Sequence, residues 1–181
     1  TDGGLRVYLG DAADGWTESS GSLPGTSNQY VSVEIADLNH DGNLDIIGAS
    51  ETSGVSTWLG DGTGAWTLDS TIVTGPSKGL AVGDFSIDGS VDIISGSSID
   101  GGLQGMAQGS GWENVSDGLF SLGDFTTMEL ADINIDGRLD IITANYTSGE
   151  PHIWVGEYVA PPPESYSIGP LHVGWNMVSA P

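Results

Sequence analysis

The most informative stretch of this chain is Asp37-Leu-Asn-His-Asp-Gly-Asn-Leu-Asp45. The pattern returns twice, as Asp84-Phe-Ser-Ile-Asp-Gly-Ser-Val-Asp92 and as Asp132-Ile-Asn-Ile-Asp-Gly-Arg-Leu-Asp140. Each copy carries side-chain oxygen atoms at positions 1, 3 and 5, glycine at position 6 and aspartate at position 9. Hard divalent cations bind such oxygen sets, and the glycine permits the sharp turn around the ion. The loops at 37–45, 84–92 and 132–140 therefore predict three Ca²⁺ sites.

The predicted ligands lie at positions 1, 3, 5, 7 and 9 of each loop. Position 7 is expected to contribute only its backbone carbonyl, because its side chain varies and is a cationic arginine in the third loop. A cation also explains why several carboxylates can lie close together without strong repulsion. The alternative is an Asx-turn that uses Asp and Gly without a metal. The predicted ligands are Asp37, Asn39, Asp41, Asn43 and Asp45; Asp84, Ser86, Asp88, Ser90 and Asp92; and Asp132, Asn134, Asp136, Arg138 and Asp140.

The residues after each loop distinguish it from an EF-hand. An EF-hand loop needs a glutamate at position 12 and flanking helices, whereas position 12 here is Gly48, Ser95 or Thr143. Each closing aspartate is followed by Ile-Ile, a short β-branched run that is typical of a strand. No stretch of a dozen residues has the apolar spacing of a helix. The sequence therefore predicts an all-β protein with almost no helix.

The loops recur with a period of about 47 residues, and strand-like segments precede and follow each of them. Four strands in a repeat of that length indicate a blade of a β-propeller. We expect four-stranded antiparallel blades over residues 1–158, about three and a half in all, forming a partial or assembled ring. Trp16, Trp66 and Trp112 recur near the outer hairpins, where we expect them to anchor the packing between blades.

The repeating unit resembles the FG-GAP (VCBS-type) repeat of integrin α-subunit propellers. It consists of a strand, the loop Asp-x-Asn-x-Asp-Gly-x-x-Asp, a strand that begins Ile-Ile-Gly-Ala, and a further strand that ends in Leu-Gly-Asp-Gly. Loop two differs by Ser86, and the Phe-Gly dipeptide of that family is missing. The resemblance implies a closed ring of about seven blades, with calcium loops that join the first and second strands of each blade. Because we expect the repeats to run from a third strand at Leu5–Leu9 to another at His152–Val155, the chain is interpreted as a segment of a longer protein. A ring of two copies and an open stack are the alternatives.

The C-terminal end has a different composition. Residues 159–165 are rich in proline and predict a short, stiff linker. Residues 166–181 carry no loop motif. They are interpreted either as a terminal strand that packs on the last blade or as the start of a further β module.

The net charge of the chain restricts its possible binding partners. The chain has 25 acidic and 3 basic residues, for a formal charge of −22, which disfavours nucleic acids and anionic membranes. No apolar run is long enough to predict insertion into a membrane. Calcium loops of this kind suit millimolar extracellular calcium, so we expect an extracellular or cell-surface location.

The sequence is compatible with two functions. The first is a recognition, adhesion or scaffold module that binds a protein or glycan, with self-association or contacts to neighbouring domains. The alternative is the propeller domain of a secreted polysaccharide hydrolase or lyase. No catalytic constellation is recognised, so we expect no enzyme activity. Glu34 and Glu129 precede loops one and three at the same offset and are expected to line a central channel or to contribute to the metal shell.

Overall fold

A computed structural model describes residues 4–12, 15–25, 28–97, 101–119, 121–146, 151–156 and 175–177. Within these ranges the regular structure consists of strands, and no helix occurs. The predicted all-β class is confirmed. No helix in the described part of the chain has the length and apolarity to cross a membrane.

The fourteen strands form four antiparallel sheets. The first sheet is a two-stranded hairpin, β1-β2, and the next three have four strands each in the simple orders β3-β4-β5-β6, β7-β8-β9-β10 and β11-β12-β13-β14. The strands are β1 Tyr8–Gly10, β2 Trp16–Glu18, β3 Tyr30–Ala36, β4 Asp45–Ser50, β5 Gly54–Gly60, β6 Trp66–Val73, β7 Ser77–Gly83, β8 Asp92–Ser97, β9 Leu103–Gln108, β10 Trp112–Asn114, β11 Phe125–Ala131, β12 Asp140–Asn145, β13 Pro151–Gly156 and β14 Trp175–Met177.

Each four-stranded sheet is one propeller-type blade. Its first strand is innermost, because β7 lies against both β3 and β11 and so brings the first strands of successive sheets together. Each Asp-rich loop joins the first strand of a blade to the second, as the family resemblance implied. The described strands do not close into a ring.

The Asp-Ile-Ile triplet at the start of each second strand explains how blades stack. Ile46 belongs to a core cluster with Leu5 and Leu23 of the preceding segment. The next residue, Ile47, belongs to a different cluster that contains Leu80 of the following sheet. Adjacent residues of a strand point to opposite faces, so two consecutive isoleucines let one strand pack against both neighbouring blades.

The tryptophan prediction is confirmed for two of three residues. Trp66 donates its indole N–H to the carbonyl of Ser19 at 2.9 Å, which joins the second sheet to the segment after β2, and Trp112 packs against the core between the second and third sheets. It is wrong for Trp16, which is 74% exposed. Trp66 contacts the segment after the preceding hairpin and Trp112 packs against the preceding sheet, whereas no described sheet precedes the one that contains Trp16.

The last sheet contains one strand more than the expected third strand at residues 152–155. β14 pairs antiparallel with β13, with Gly156 opposite Trp175. The same register places Gly60 opposite Trp66 and Gly10 opposite Trp16. The segment 175–177 thus pairs as the fourth strand of a blade. The rest of 166–181 and the predicted linker at 159–165 lie outside the described residues.

Candidate metal centre

The three Asp-rich loops have the same backbone conformation. Position 4 has positive φ in each copy, with values of 58°, 61° and 61° at His40, Ile87 and Ile135. Position 6 is glycine with φ between 85° and 89°. Positive φ is costly for a β-branched residue, so the two isoleucines require other interactions to hold the turn.

The aspartate at position 1 supplies part of that restraint. Asp37 accepts hydrogen bonds from the backbone N–H of Asp41 at 3.1 Å and of Gly42 at 2.9 Å. Asp84 and Asp132 accept the equivalent pairs at distances between 2.9 and 3.1 Å. Two N–H donors of the turn thus point at one carboxylate in every loop.

The aspartate at position 9 has a role that the sequence did not predict. Asp45 is fully buried and accepts from the backbone N–H of Leu38 at one oxygen and of Gly60 at the other, both at 2.8 Å. Gly60 ends β5, so the carboxylate joins the loop to the third strand of its blade. The repeated Leu-Gly-Asp at residues 9–11 and 59–61 was the sequence signal for this glycine.

Loop two repeats this arrangement, and loop three repeats its bond to the loop N–H. Asp92 is also fully buried and accepts from the N–H groups of Ser86 at 2.8 Å and Gln108 at 2.9 Å. Asp140 is buried and accepts from Ile133 at 2.8 Å. Burial raises the pKa of Asp92, and the charge of Asp88 adds to that rise, while the two backbone donors oppose it. Removing a carboxylate from water disfavours its charged form, so these donors offset a real cost.

The comparison with known families agrees with this geometry. A family model described as the FG-GAP-like repeat matches residues 1–48 and 37–95, which together make up more than half of the chain. The chain belongs to the FG-GAP-like repeat family. A comparison with curated proteins finds no match. The loop at 132–140 lies beyond the matched residues, yet it has the same turn and hydrogen bonds, which makes it a third FG-GAP-like loop by structure.

Positions 3 and 5 of the FG-GAP-like loops present oxygen atoms at the surface. Asn39 accepts from the N–H of Asp41 at 3.0 Å and donates its amide to the carboxylate of Asp41 at 2.9 Å, and both side chains are exposed. The N–H of Asn43 and the amide of Asn39 lower the pKa of Asp41. Asn134 and Asp136 repeat these bonds in loop three.

Loop two differs at position 3. The hydroxyl of Ser86 is buried and interacts with the carboxylate of Asp92, whose pKa it helps to lower, and the backbone N–H of Ser86 donates to the same carboxylate. In loops one and three the corresponding N–H belongs to position 2. The serine therefore turns away from the surface that Asn39 and Asn134 share.

Position 7 is half-buried in all three loops, at Asn43, Ser90 and Arg138. Its backbone N–H donates to the position-5 carboxylate at 2.8 to 2.9 Å. This bond holds the chain close to the carboxylate without using the side chain. That is compatible with the free variation of the side chain in the sequence.

The donor chemistry of loops one and three fits Ca²⁺. Positions 1, 3 and 5 offer carboxylate and amide oxygens, and each carboxylate oxygen that accepts one N–H retains a second lone pair. Among the described residues, no three carboxylate or imidazole groups by themselves form a metal-binding cluster. An ion in these loops would therefore depend on the amide oxygens of Asn39 and Asn134 and on backbone carbonyls as well as on the aspartates.

Glu34 and Glu129 occupy equivalent places on the first strands β3 and β11. Glu34 lies opposite Ile47, and Glu129 opposite Ile142, in the pairing with the second strand. Burial raises the pKa of Glu34, and the charge of Glu129 raises it further. The two carboxylates thus interact across the inner strands, whereas the loop ligands lie at the ends of those strands.

Proposed function

We propose that this protein is a calcium-binding FG-GAP-like module of an extracellular or cell-surface protein, and that it acts in recognition, adhesion or scaffolding. Asp37, Asn39 and Asp41 would hold the ion in loop one, with the equivalent residues in loops two and three. The ion would neutralise carboxylates that otherwise repel one another. A protein or glycan partner would then bind to loops that the ion holds in one conformation.

The observation that carries the proposal is the repetition of one exposed donor surface. Three loops have the same positive-φ turn, and all three connect the first and second strands of their blades. In loops one and three the oxygen-bearing side chains of positions 3 and 5 are exposed, while the aspartate at position 9 is buried. The buried aspartates account for the fold of the loops, which leaves the exposed donors available to an ion.

The test is thermal unfolding with calcium and with EDTA. A ligand that binds only the native state stabilises it by about 2.7 kcal/mol at a concentration one hundred times its Kd. For a chain of this size that corresponds to a rise in Tm of about 5–10 °C. Magnesium at the same concentration serves as the ionic-strength control. An unchanged Tm on chelation contradicts the proposal.

A pair of variants within one loop identifies the ligands. Asn39→Ala removes a predicted side-chain ligand and should weaken calcium binding at that loop by about tenfold or more, on the scale of 1.4 kcal/mol per factor of ten. Asn43→Ala is the comparison variant, because position 7 is proposed to act through its backbone carbonyl; its side chain reaches the site only through a hydrogen bond to Asp41, so we expect a smaller loss of affinity. Calorimetric titration of both variants measures the difference, and equal losses would exclude this assignment.

Loop two is proposed to be the weakest of the three sites. Its position-3 oxygen belongs to the buried hydroxyl of Ser86 and does not lie at the surface. Ser86→Asn supplies the side chain found in the other two loops. We expect this variant to raise the calcium affinity of the weakest site in the titration and to leave the other two unchanged.

A catalytic alternative rests on the pair Glu34 and Glu129. Two carboxylates with coupled charges, one of them with a raised pKa, are the groups that general acid and base catalysis uses. The alternative predicts turnover of an acidic or neutral glycan that is lost in Glu129→Gln while thermal unfolding is unchanged. We propose that the module acts by binding, because the exposed oxygen donors are repeated in loops one and three, whereas the catalytic alternative rests on this one pair.

A further inference from the structure

The first strand of each four-stranded blade has a β-bulge near its start. In β3, Val31 is an extra residue between two residues that pair with consecutive positions of β4. Lys78 is the extra residue of β7, and Thr126 is the extra residue of β11. Bulges change the direction of a side chain and are frequent beside functional sites. The same irregularity therefore redirects one side chain in each of three successive blades.

The three bulged residues line one pocket. The pocket has a volume of about 300 Å³, and its other lining residues are Glu51 and Tyr146. These two are equivalent to each other, because each directly follows the second strand of its blade and donates its backbone N–H to a carbonyl just before the first strand. The pocket thus lies where the first strands begin, whereas the Asp-rich loops lie where those strands end.

The two ends of the blades differ in how far equivalent positions vary. In the Asp-rich loops, positions 1, 5 and 9 are aspartate and position 6 is glycine in all three copies. At the pocket, the bulged position is valine, lysine or threonine, and the position after the second strand is glutamate or tyrosine. Because three unlike side chains occupy the same bulge, the backbone does not dictate them. They give the pocket an apolar wall, a cation, a hydroxyl, a carboxylate and an aromatic ring.

Lys78 is the single lysine of the chain, and it joins three blades at this pocket. Its Nζ lies 3.1 Å from Oδ2 of Asp124 and 3.7 Å from Oε1 of Glu51. The hydrogen bond to Asp124 raises the pKa of Lys78, so the ammonium stays charged. Two carboxylates around one ammonium leave a net negative charge, which disfavours an anionic ligand.

These charged groups retain the capacity to bind hydroxyls. An ammonium has three N–H donors, and a carboxylate has about four acceptor positions. The side chains of Lys78 and Glu51 are 25% and 36% exposed, so both can be reached from solvent. A hydroxyl both donates and accepts, and two neighbouring hydroxyls can therefore bond to the carboxylate and the ammonium together.

Tyr146 and Val31 supply apolar surface beside these polar groups. Tyr146 is 77% exposed and Val31 is 51% exposed. Ligand pockets usually combine apolar and aromatic surface with a few polar groups that fix orientation. A hexose ring has the matching chemistry, because its C–H groups can pack on an aromatic face while its hydroxyls form hydrogen bonds at the rim.

We propose that this pocket binds one neutral monosaccharide unit of a glycan. The sugar ring packs on Tyr146, and its hydroxyls accept from Lys78 and donate to Glu51, with Thr126 as a further hydrogen-bonding group. This site goes beyond the proposed function, because it lies at the opposite end of the inner strands from the metal loops and uses none of their residues.

The experiment is saturation-transfer NMR on the full chain in calcium. The probes are the methyl glycosides of glucose, galactose, mannose and N-acetylglucosamine, each measured separately, and methyl glucuronide is the anionic comparison. We expect transfer to at least one neutral glycoside and none to the glucuronide. Titration of the bound glycoside should shift the backbone amide resonances of Lys78 and Tyr146.

Three variants locate the site. Tyr146→Ala should weaken binding about tenfold, as loss of an aromatic contact does, whereas Tyr8→Ala, at another exposed tyrosine outside this pocket, should leave it unchanged. Thr126→Val should weaken binding about fivefold, on the scale of one hydrogen bond. The bulge should tolerate this change, because Val31 occupies the equivalent position.

Three results would overturn the proposal. The first is no transfer to any of the four neutral glycosides, and the second is equal transfer to the glucuronide. The third is binding that Tyr146→Ala and Thr126→Val leave unchanged, or that Tyr8→Ala weakens as much as Tyr146→Ala does. None of these results depends on how chelation changes Tm, so failure of this proposal and failure of the calcium proposal can be told apart.

Discussion

Replacing Asp45 with alanine tests whether the aspartate at position 9 holds the blade together in the absence of an ion. This carboxylate is fully buried, and its two oxygens accept from the N–H groups of Leu38 and Gly60 at 2.8 Å. The variant removes both bonds and leaves two N–H groups of the blade without their acceptor. In the wild type the Asp45 carboxylate connects the loop to β5. A local rearrangement of one turn therefore cannot replace both lost hydrogen bonds.

The expected loss follows from those two bonds. A hydrogen bond to a charged group contributes about 1.5–3 kcal/mol, and the cost of a buried unsatisfied donor is of the same size. The cost of burying the charge in the wild type offsets part of the difference. We expect Asp45→Ala to lower the free energy of unfolding by about 3–4 kcal/mol.

The assay is urea unfolding in EDTA, followed by tryptophan fluorescence. Trp58 is a suitable reporter because it is buried and its ring lies 5.7 Å from that of Tyr30, in an edge-to-face contact. Asp61→Ala is the matched control. Asp61 also accepts from two backbone N–H groups, those of Thr63 and Ala65, but it is exposed and water can replace it.

The control should lose much less stability than Asp45→Ala, because surface substitutions away from buried groups have small effects. If Asp45→Ala and Asp61→Ala are equally stable in EDTA and differ only when calcium is added, the reasoning is wrong. Asp45 would then act mainly as a metal ligand. A large loss in EDTA that calcium does not change would instead show that the hydrogen bonds dominate.

Two further substitutions are predicted to stabilise the protein. Ile135→Asn should raise the free energy of unfolding in urea by about 0.5–1 kcal/mol, because asparagine tolerates the φ of 61° that the 88% exposed isoleucine must adopt; a loss of stability would show that Ile135 has an apolar contact in solution. Glu34→Gln should stabilise by about 0.3 kcal/mol at pH 7, the scale of a screened charge pair. The folded state raises the pKa of Glu34, so the wild-type carboxylate lowers stability above that pKa, and the gain should disappear when unfolding is repeated below pH ~4. A gain that persists at low pH would exclude the charge of Glu129 and the burial of Glu34 as its cause.

The blade architecture could be predicted from the sequence because local signals agree with the fold. The Asp-Ile-Ile triplet is a strong strand signal, and its repetition fixes which strand of each blade it begins. Glycine at position 6 has positive φ in all three loops, as the turn requires. The existence and order of the four strands therefore follow from residues that are close in sequence.

Burial at the boundaries between sheets could not be predicted in the same way. Val33 and Leu80 occupy the same strand position and are both branched apolar residues, yet one is exposed and the other buried. The exposure of Trp16 and of Trp66 differs for the same reason. What covers each residue is a neighbouring sheet, and the pattern within one repeat carries no information on whether that neighbour is present.

The role of the ninth loop position was also hidden from the sequence. Aspartate at this position is compatible with a metal ligand and with an acceptor for backbone N–H groups. Which role it has depends on donors that are distant in sequence: Gly60 lies 15 residues after Asp45, and Gln108 lies 16 residues after Asp92. The glycine is repeated and the glutamine is not. Because the donor is a backbone group, the side chain at that position leaves no consistent sequence signal.

These bonds bear on how an ion would interact with the loops. Asp37 and Asp45 already satisfy the turn with backbone donors, so the proposed ion would meet a formed loop and would not have to order the chain. Ordering costs about 1–2 kcal/mol per residue for the backbone, and a preformed loop avoids most of that cost on binding. The amides of Asp41 and Gly42 should accordingly be protected from hydrogen exchange in EDTA as well as in calcium. Protection that appears only with calcium would mean that the ion, and not the aspartates, folds the loop.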